Sequence, residues 1–174
     1  MDMNREVHVS RWVRPSRWLT AIGTLLATAT FAACEASVSG PDLRDQQIGG
    51  LTYRVTRFII AESFPAQLST TVQIENESTT SQSVIFPDGC VVLMRVYAGD
   101  TNPAWDMGGS VGCTLALVQV DLAPGDSEEF QTGLVSAQTI LGDSLPNGEY
   151  RITVYLRPGQ IVEFDVGMAD LAVP

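Results

Sequence analysis

From Leu51 onward the chain is written in short runs in which apolar and polar residues alternate one for one, cut apart by Gly, Pro, Asn and Asp. A period of two sends successive side chains to opposite faces, so these runs fold as half-buried strands and have no apolar stripe to offer as helices. The alternation is cleanest in four places. Leu68, Thr70, Val72 and Ile74 alternate with Ser69, Thr71, Gln73 and Glu75, and Ala116, Val118, Val120 and Leu122 with Leu117, Gln119 and Asp121. Tyr150, Ile152, Val154 and Leu156 alternate with Arg151, Thr153, Tyr155 and Arg157, and Val162, Phe164, Val166 and Met168 with Glu163 and Asp165. Between the last two runs lies Arg157-Pro158-Gly159-Gln160, a turn in which glycine takes positive φ. Pairing two even-numbered apolar sets requires an odd loop, which predicts a three-residue connection or a bulge at Gly159. Over residues 51–61 the apolar set shifts from Leu51, Tyr53 and Val55 to Phe58 and Ile60, the mark of a bend or of a crossing between sheets. Residues 136–143 hold at most a short turn of helix.

About seven to nine strands, with turn signals roughly every ten residues, predict an all-β fold, an immunoglobulin-like antiparallel β-sandwich over residues 51–174, with a barrel as second choice. Leu145-Pro146-Asn147-Gly148-Glu149-Tyr150 sets a tyrosine at the start of a late strand just after a glycine turn. That is either a tyrosine corner or simply a core aromatic.

The first 33 residues are of another kind. Arg5, Arg11, Arg14 and Arg17 precede residue 20, and LTAIGTLLATATFAA over residues 19–33 then carries no charge. As a helix these residues rise only about 22 Å against a hydrocarbon core of roughly 30 Å, too short to span comfortably. A basic segment, an apolar segment and small residues at the exit form the layout of a secretory signal peptide. Phe31-Ala32-Ala33-Cys34 resembles the lipobox of bacterial lipoproteins, with Phe31 where that family prefers an aliphatic residue. The resemblance implies a signal peptide over 1–33, lipidation of Cys34 and a membrane anchor; two or more acyl chains hold a protein stably where one does not. Glu35, rather than Asp, after the cysteine favours an outer-membrane or surface location in the cell envelope. The other reading of Cys34 is a buried first-strand cysteine behind an ordinary signal. Residues 34–50, with EASVSGPDLRDQQIGG after the cysteine, show no apolar period and read as a flexible tether.

Removing the leader sharpens the charge. Six arginines against eighteen carboxylates leave a side-chain charge of −12, with no lysine and no histidine, since His8 belongs to the leader. Such a surface repels phosphate and offers no basic patch, which excludes nucleic acid as a partner. The same loss removes Ser-His and Cys-His nucleophiles, Schiff-base lysines and histidine metal sites, so neither an enzyme nor a metal or other cofactor is expected. Among the acids, Glu128 and Glu129 point to opposite faces of a strand, and Glu75 and Glu77 are read as solvated. With Cys34 lipidated, Cys90 and Cys113 remain as a pair in a compartment that permits oxidation. A bridge closes a loop of about twenty residues and stabilises the fold by about 3 kcal/mol in the chain-entropy model. Two free thiols are the alternative, without the further ligands that zinc requires.

The order of features over residues 67–156 resembles the domain of the BsuPI family, bacterial β-sandwich proteins first described as intracellular proteinase inhibitors. A strand ends at Asn76; Val84-Ile85-Phe86 and Asp88-Gly89 follow, then a strand reaching Tyr97, Trp105, the turn Leu122-Ala123-Pro124-Gly125-Asp126-Ser127, and Leu145 to Tyr150. The resemblance implies a protein-binding module and a proteinase as partner. The export signal, Cys34 and the cysteine pair set this chain apart from the intracellular founders. The candidate contact segment is DTNPAWDMGGSVG, residues 100–112, where the bridge holds Trp105 and Met107; Trp105 otherwise packs in the core or under its own loop. A structural or adhesion-type lipoprotein that binds a protein or glycan without inhibiting is the alternative function.

Overall fold

The alternating runs become the strands of a computed structural model that describes residues 45–61, 63–99 and 101–174. The leader, Cys34 and most of the tether lie outside the described residues. In chain order the elements are β1 (Gln46–Ile48), β2 (Leu51–Ala61), β3 (Gln67–Asn76), β4 (Gln82–Phe86), β5 (Leu93–Tyr97), β6 (Trp105–Asp106), α1 (Met107–Ser110), β7 (Val118–Leu122), β8 (Ser127–Gln131), β9 (Val135–Ser136), α2 (Ala137–Leu141), β10 (Gly148–Leu156) and β11 (Val162–Leu171). One sheet runs β1-β2-β3-β8, with β9 on the far end of β3; a second runs β11-β10-β5-β6; β4 and β7 form a two-stranded ribbon. Every pairing is antiparallel. The result is the expected all-β sandwich, whose core joins Leu68, Val72 and Ile74 of β3 to Ile152, Val154 and Leu156 of β10.

Departures from strict alternation have local causes. In β2 the register slips between Val55 and Arg57, so Thr56 is an extra residue and the inward set passes from odd to even positions, as the shift to Phe58 requires. The β10–β11 hairpin closes with Leu156 opposite Val162, a five-residue connection rather than three, with Gly159 at φ +84°. Its bulge is not at Gly159 but farther along, where Val166 is added opposite Ile152 and Thr153. Past that bulge the faces exchange: Ala169 and Leu171 turn inward and Met168, expected inside, is turned out. The predicted tether also ends early. Gly49 and Gly50, at φ +62° and +87°, form a two-residue hairpin turn that lays β1 against Leu51–Tyr53, because two successive positive φ values match the twist of a tight hairpin. Ile48 thereby packs against the core.

Two polar side chains tie loops to this frame. Tyr150 is buried and its hydroxyl donates to the Pro146 carbonyl at 2.6 Å, four residues upstream, which is the geometry of a tyrosine corner. Asn76, fully buried at the end of β3, does more. Its Nδ2 donates to the carbonyls of Thr80 (2.8 Å) and Leu122 (2.9 Å), while Oδ1 accepts from the Ser78 amide and hydroxyl. Its main-chain amide donates to Asp126 and its carbonyl accepts from Gly125, so this one residue joins the β3–β4 turn to the β7–β8 turn. A buried carbonyl stripped of its donor keeps its desolvation cost. Asn76→Ala is therefore expected to lower unfolding free energy by about 3 kcal/mol, read as a reduced urea midpoint at unchanged slope.

Candidate functional site

Cys90 and Cys113 form a disulfide with Cα atoms 5.5 Å apart, joining the β4–β5 connection to the segment between α1 and β7. The turn before Cys90 is rigid in its own right. Asp88 accepts from the Cys90 amide at 3.0 Å through Oδ1 and from Arg157 at 2.7 Å through Oδ2. The Gly89 amide donates to the Thr114 carbonyl at 3.0 Å. A Cβ at Gly89 would fall 2.0 Å from Thr114 Oγ1, so the Thr114 hydroxyl packs directly on this glycine. On the other side, β7 begins at Val118, paired with Phe86. Between the Gly89–Thr114 bond and the Phe86–Val118 pair, residues 115–117 face only Pro87 and Asp88, and Pro87 has no amide to extend the ladder. Three residues opposite two bow outward.

Leu115, at the bend of that bow, is 97% exposed and Leu117 is 71% exposed. The alternation had placed Ala116 on the inward face of a strand. Instead it lies exposed in the loop, ahead of the strand that starts at Val118. Leu117 lies immediately before β7, and Ile85 of β4, paired with Gln119, is also exposed.

Trp105 and Met107 are placed elsewhere than the contact-loop reading required. Both are buried in the core cluster, and β6 sets Trp105 opposite Val96 on the inward face. Neither side chain is presented to a partner. Their segment instead closes over the second sheet, where Asp106, opposite Arg95, faces outward and fastens β6 and α1 in place. Asp106 accepts from Arg95 Nε at 2.9 Å, from the Tyr155 hydroxyl at 2.7 Å and from the Gly108 amide at 2.9 Å. The Arg95 guanidinium lies 3.9 Å from the centre of the Tyr155 ring and donates at 2.9 Å to Glu163. Glu163 also accepts from Tyr97 and Thr153, and Arg151 stacks on Tyr97 at 4.1 Å. A Cβ on Gly108 would meet the Tyr155 hydroxyl at 2.6 Å, so α1 sits close against that hydroxyl.

Burial works against the Asp106 charge, but hydrogen bonds from Tyr155, Arg95 and Gly108 outweigh it and hold the carboxyl below the ordinary aspartate value. Tyr155 is pushed up to about 12 by burial first and by its bond to the Asp106 carboxylate second. Arg95, also partly desolvated, is kept charged by its bond to Asp106 and by Glu163.

Chemically the described residues offer no histidine, lysine or free thiol. Asp88, Cys90 and Cys113 come together closely enough to hold a metal ion, yet the sulfurs are bonded to one another and the carboxylate to Arg157 and an amide. A shallow hollow on the outer face of β2, β3 and β8 is lined by Thr56, Arg57, Thr71, Glu129, Phe130 and Gln131, with Thr56 bonded to Glu129. The tyrosines and Trp105 are all buried, and Phe64 is the exposed aromatic among the described residues.

No protein-family model matches the chain, and no curated protein matches it. Among solved structures it is similar to part of a β-glucosidase from Listeria innocua in complex with laminaribiose, with a TM-score of 0.40 and 11% identity over 74% of this chain and 16% of that one. It is similar also to part of a β-glucosidase from Paenibacillus barengoltzii, with a TM-score of 0.41 and 14% identity over 70% and 14% of the two chains. The chain thus spans 14–16% of the length of these enzymes, and likeness at this level bears on neither activity nor substrate.

The network around Asp106 makes stability depend on pH at both ends. A depressed folded-state carboxyl contributes stability that is present above the unfolded value near 4 and is lost as pH falls through the folded one. Tyr155 is the reverse case: its contribution is full below the unfolded value near 10 and disappears as pH rises through about 12. Asp106→Asn is expected to cost about 2 kcal/mol at neutral pH and to flatten the acid limb of a urea-denaturation series. It also brings Tyr155 ionisation back toward 10, read from tyrosinate absorbance.

Proposed function

We propose that the chain is an exported lipoprotein, anchored through acylated Cys34 in the cell envelope, whose BsuPI-like sandwich is a non-catalytic protein-binding module. The observation that carries the binding reading is the loop at residues 114–117, where uncharged and apolar side chains are held out in solvent by a covalent bridge and a glycine contact. Burying a leucine is worth roughly 1.5–3 kcal/mol, so a domain that spends rigid structure on displaying one gains that energy only against a partner. The disulfide supports an oxidising compartment, and with it export. Acidic charge and the missing basic patch weigh against nucleic acid. A glycan-binding surface draws little support from the aromatic residues, because the tyrosines and Trp105 are inside and, among the described residues, Phe64 is exposed and Phe130 half-buried.

Two measurements test this. Cys34→Ser is expected to move the protein from the membrane pellet to the soluble envelope fraction; retention in the pellet overturns the anchor. A photo-crosslinking side chain placed at Leu117 in living cells is expected to give a discrete protein adduct that the same group at exposed Asp143 does not. Identical smears from both positions overturn the binding reading.

A further inference from the structure

We infer that Asn147 is a deamidation site, held intact by the segment after β11 and, once converted, unable to hold that segment in return. Asn147 is the one asparagine of the chain followed by glycine. Deamidation needs the main-chain nitrogen of the next residue to reach the asparagine side chain, and a glycine, without a Cβ, leaves that approach open. Asn147 is exposed, so water and base have access to it. Its side chain, however, is fastened at both polar atoms. Nδ2 donates to the Val173 carbonyl at 3.0 Å, and Oδ1 accepts from the Val173 amide at 3.0 Å. These two bonds continue the β10–β11 ladder, whose last main-chain pair is Gly148 opposite Leu171. The Asn147 side chain thus stands in for a strand residue, and Val173 packs against the core cluster beside it.

Two bonds to main-chain atoms fix the side-chain torsions, so attack waits on a local opening in which Val173 lets go. In the open state the Gly148 nitrogen, its proton lost to base, adds to Asn147 Cγ. The Cγ–Nδ2 bond breaks, ammonia leaves and a cyclic imide closes. Water then opens the imide at one of its two carbonyls and gives aspartate or isoaspartate. Ammonia is lost and water gained, with no change of oxidation state. Either product removes the donor that Asn147 offered to the Val173 carbonyl and sets a carboxylate oxygen against it. Two acceptors then face one another, so the segment does not dock again. Isoaspartate does more, because it inserts a carbon into the main chain between Pro146 and Tyr150, the residues joined by the tyrosine-corner bond of 2.6 Å. The conversion works as a one-way latch, closed in newly made protein and open in aged protein.

The test follows the full chain, purified in detergent and held in warm, mildly alkaline buffer, by peptide mass spectrometry. Conversion at Asn147 is expected to run about 10-fold slower in the folded chain than in the same chain unfolded in urea. Val173→Pro, which removes the donor to Oδ1, is expected to speed it about 10-fold in the folded chain. Gly148→Ala is expected to slow it about 10-fold by crowding the attacking nitrogen. A Cβ at Gly148 meets nothing within 4 Å, so that variant keeps the fold. The latch is read separately in Asn147→Asp, where hydrogen exchange at the Val173 amide is expected to rise about 10-fold while the amides of Ile152 and Val154 keep their protection. Equal rates in the folded and unfolded wild-type chain, or an unchanged rate in Val173→Pro, overturn the holding by Val173. A Val173 amide as protected in Asn147→Asp as in the wild type overturns the latch. No conversion even in the unfolded chain overturns the site itself.

Discussion

The second sheet has its central strand, β10, buried on both faces, and most of what is distinctive in this domain follows from covering the outer one. Thr153 and Tyr155 are 3% and 2% exposed although they alternate with the core set Ile152, Val154 and Leu156. A strand whose outward face carries a hydroxyl and a phenol can be covered only if the cover brings acceptors, since a buried donor without one is costly. Glu163 and Asp106 are those acceptors, and Arg95 between them balances the charge the carboxylates bring. Because Asp106 must face outward to do this, its neighbour Trp105 must face inward. The aromatic residue that looked like a binding anchor is in the core for that reason.

The segment that covers this face leads directly to the exposed loop. The segment from β6 through α1 is consumed in roofing Tyr155, and it returns toward the ribbon at Cys113. Residues 115–117 follow with exposed side chains, between the Gly89–Thr114 hydrogen bond and the start of the β7 ladder. The exposed loop thus lies just after the bridge rather than inside it.

Strand positions, the shift in β2, the tyrosine corner and the cysteine pair were legible because each depends on near neighbours or on counting. Leu68 to Ile74 alternate without interruption, and Tyr150 lies four residues from the carbonyl it binds. What escaped was set by partners distant in the chain. Gly49-Gly50 read as part of a tether, although two glycines between apolar residues also fit a type of hairpin turn, and only the pairing of Ile48 with Leu51 decides between them. Met168 read as inward because the extra residue at Val166 leaves no mark in the alternation until its partner strand is known. Leu115 escaped since Ala116 and Leu117 continue the rhythm of β7; the interruption shows only across the ribbon, where β4 ends at Phe86, just before Pro87, and pairs no residue earlier than Val118.

The disulfide's placement separates the stability of the core from the order of the loop. In immunoglobulin domains the bridge crosses between sheets inside the core. Here it joins two connections, half-buried at the margin of the hydrophobic cluster, while the sheets meet through side chains alone. Its entropic contribution, about 3 kcal/mol in the chain-entropy model, acts on the unfolded chain and does not depend on where the bridge sits. The local effect does. Asp88 holds the turn before Cys90 through Arg157 of β10's outgoing end, and Gly89 holds Thr114, so the bridge closes a frame that is already hydrogen-bonded on one side. A cross-link placed there adds little to the packing of Leu68 against Ile152. It fixes a stretch of chain that the core leaves unpacked, where a binding surface has use for rigidity.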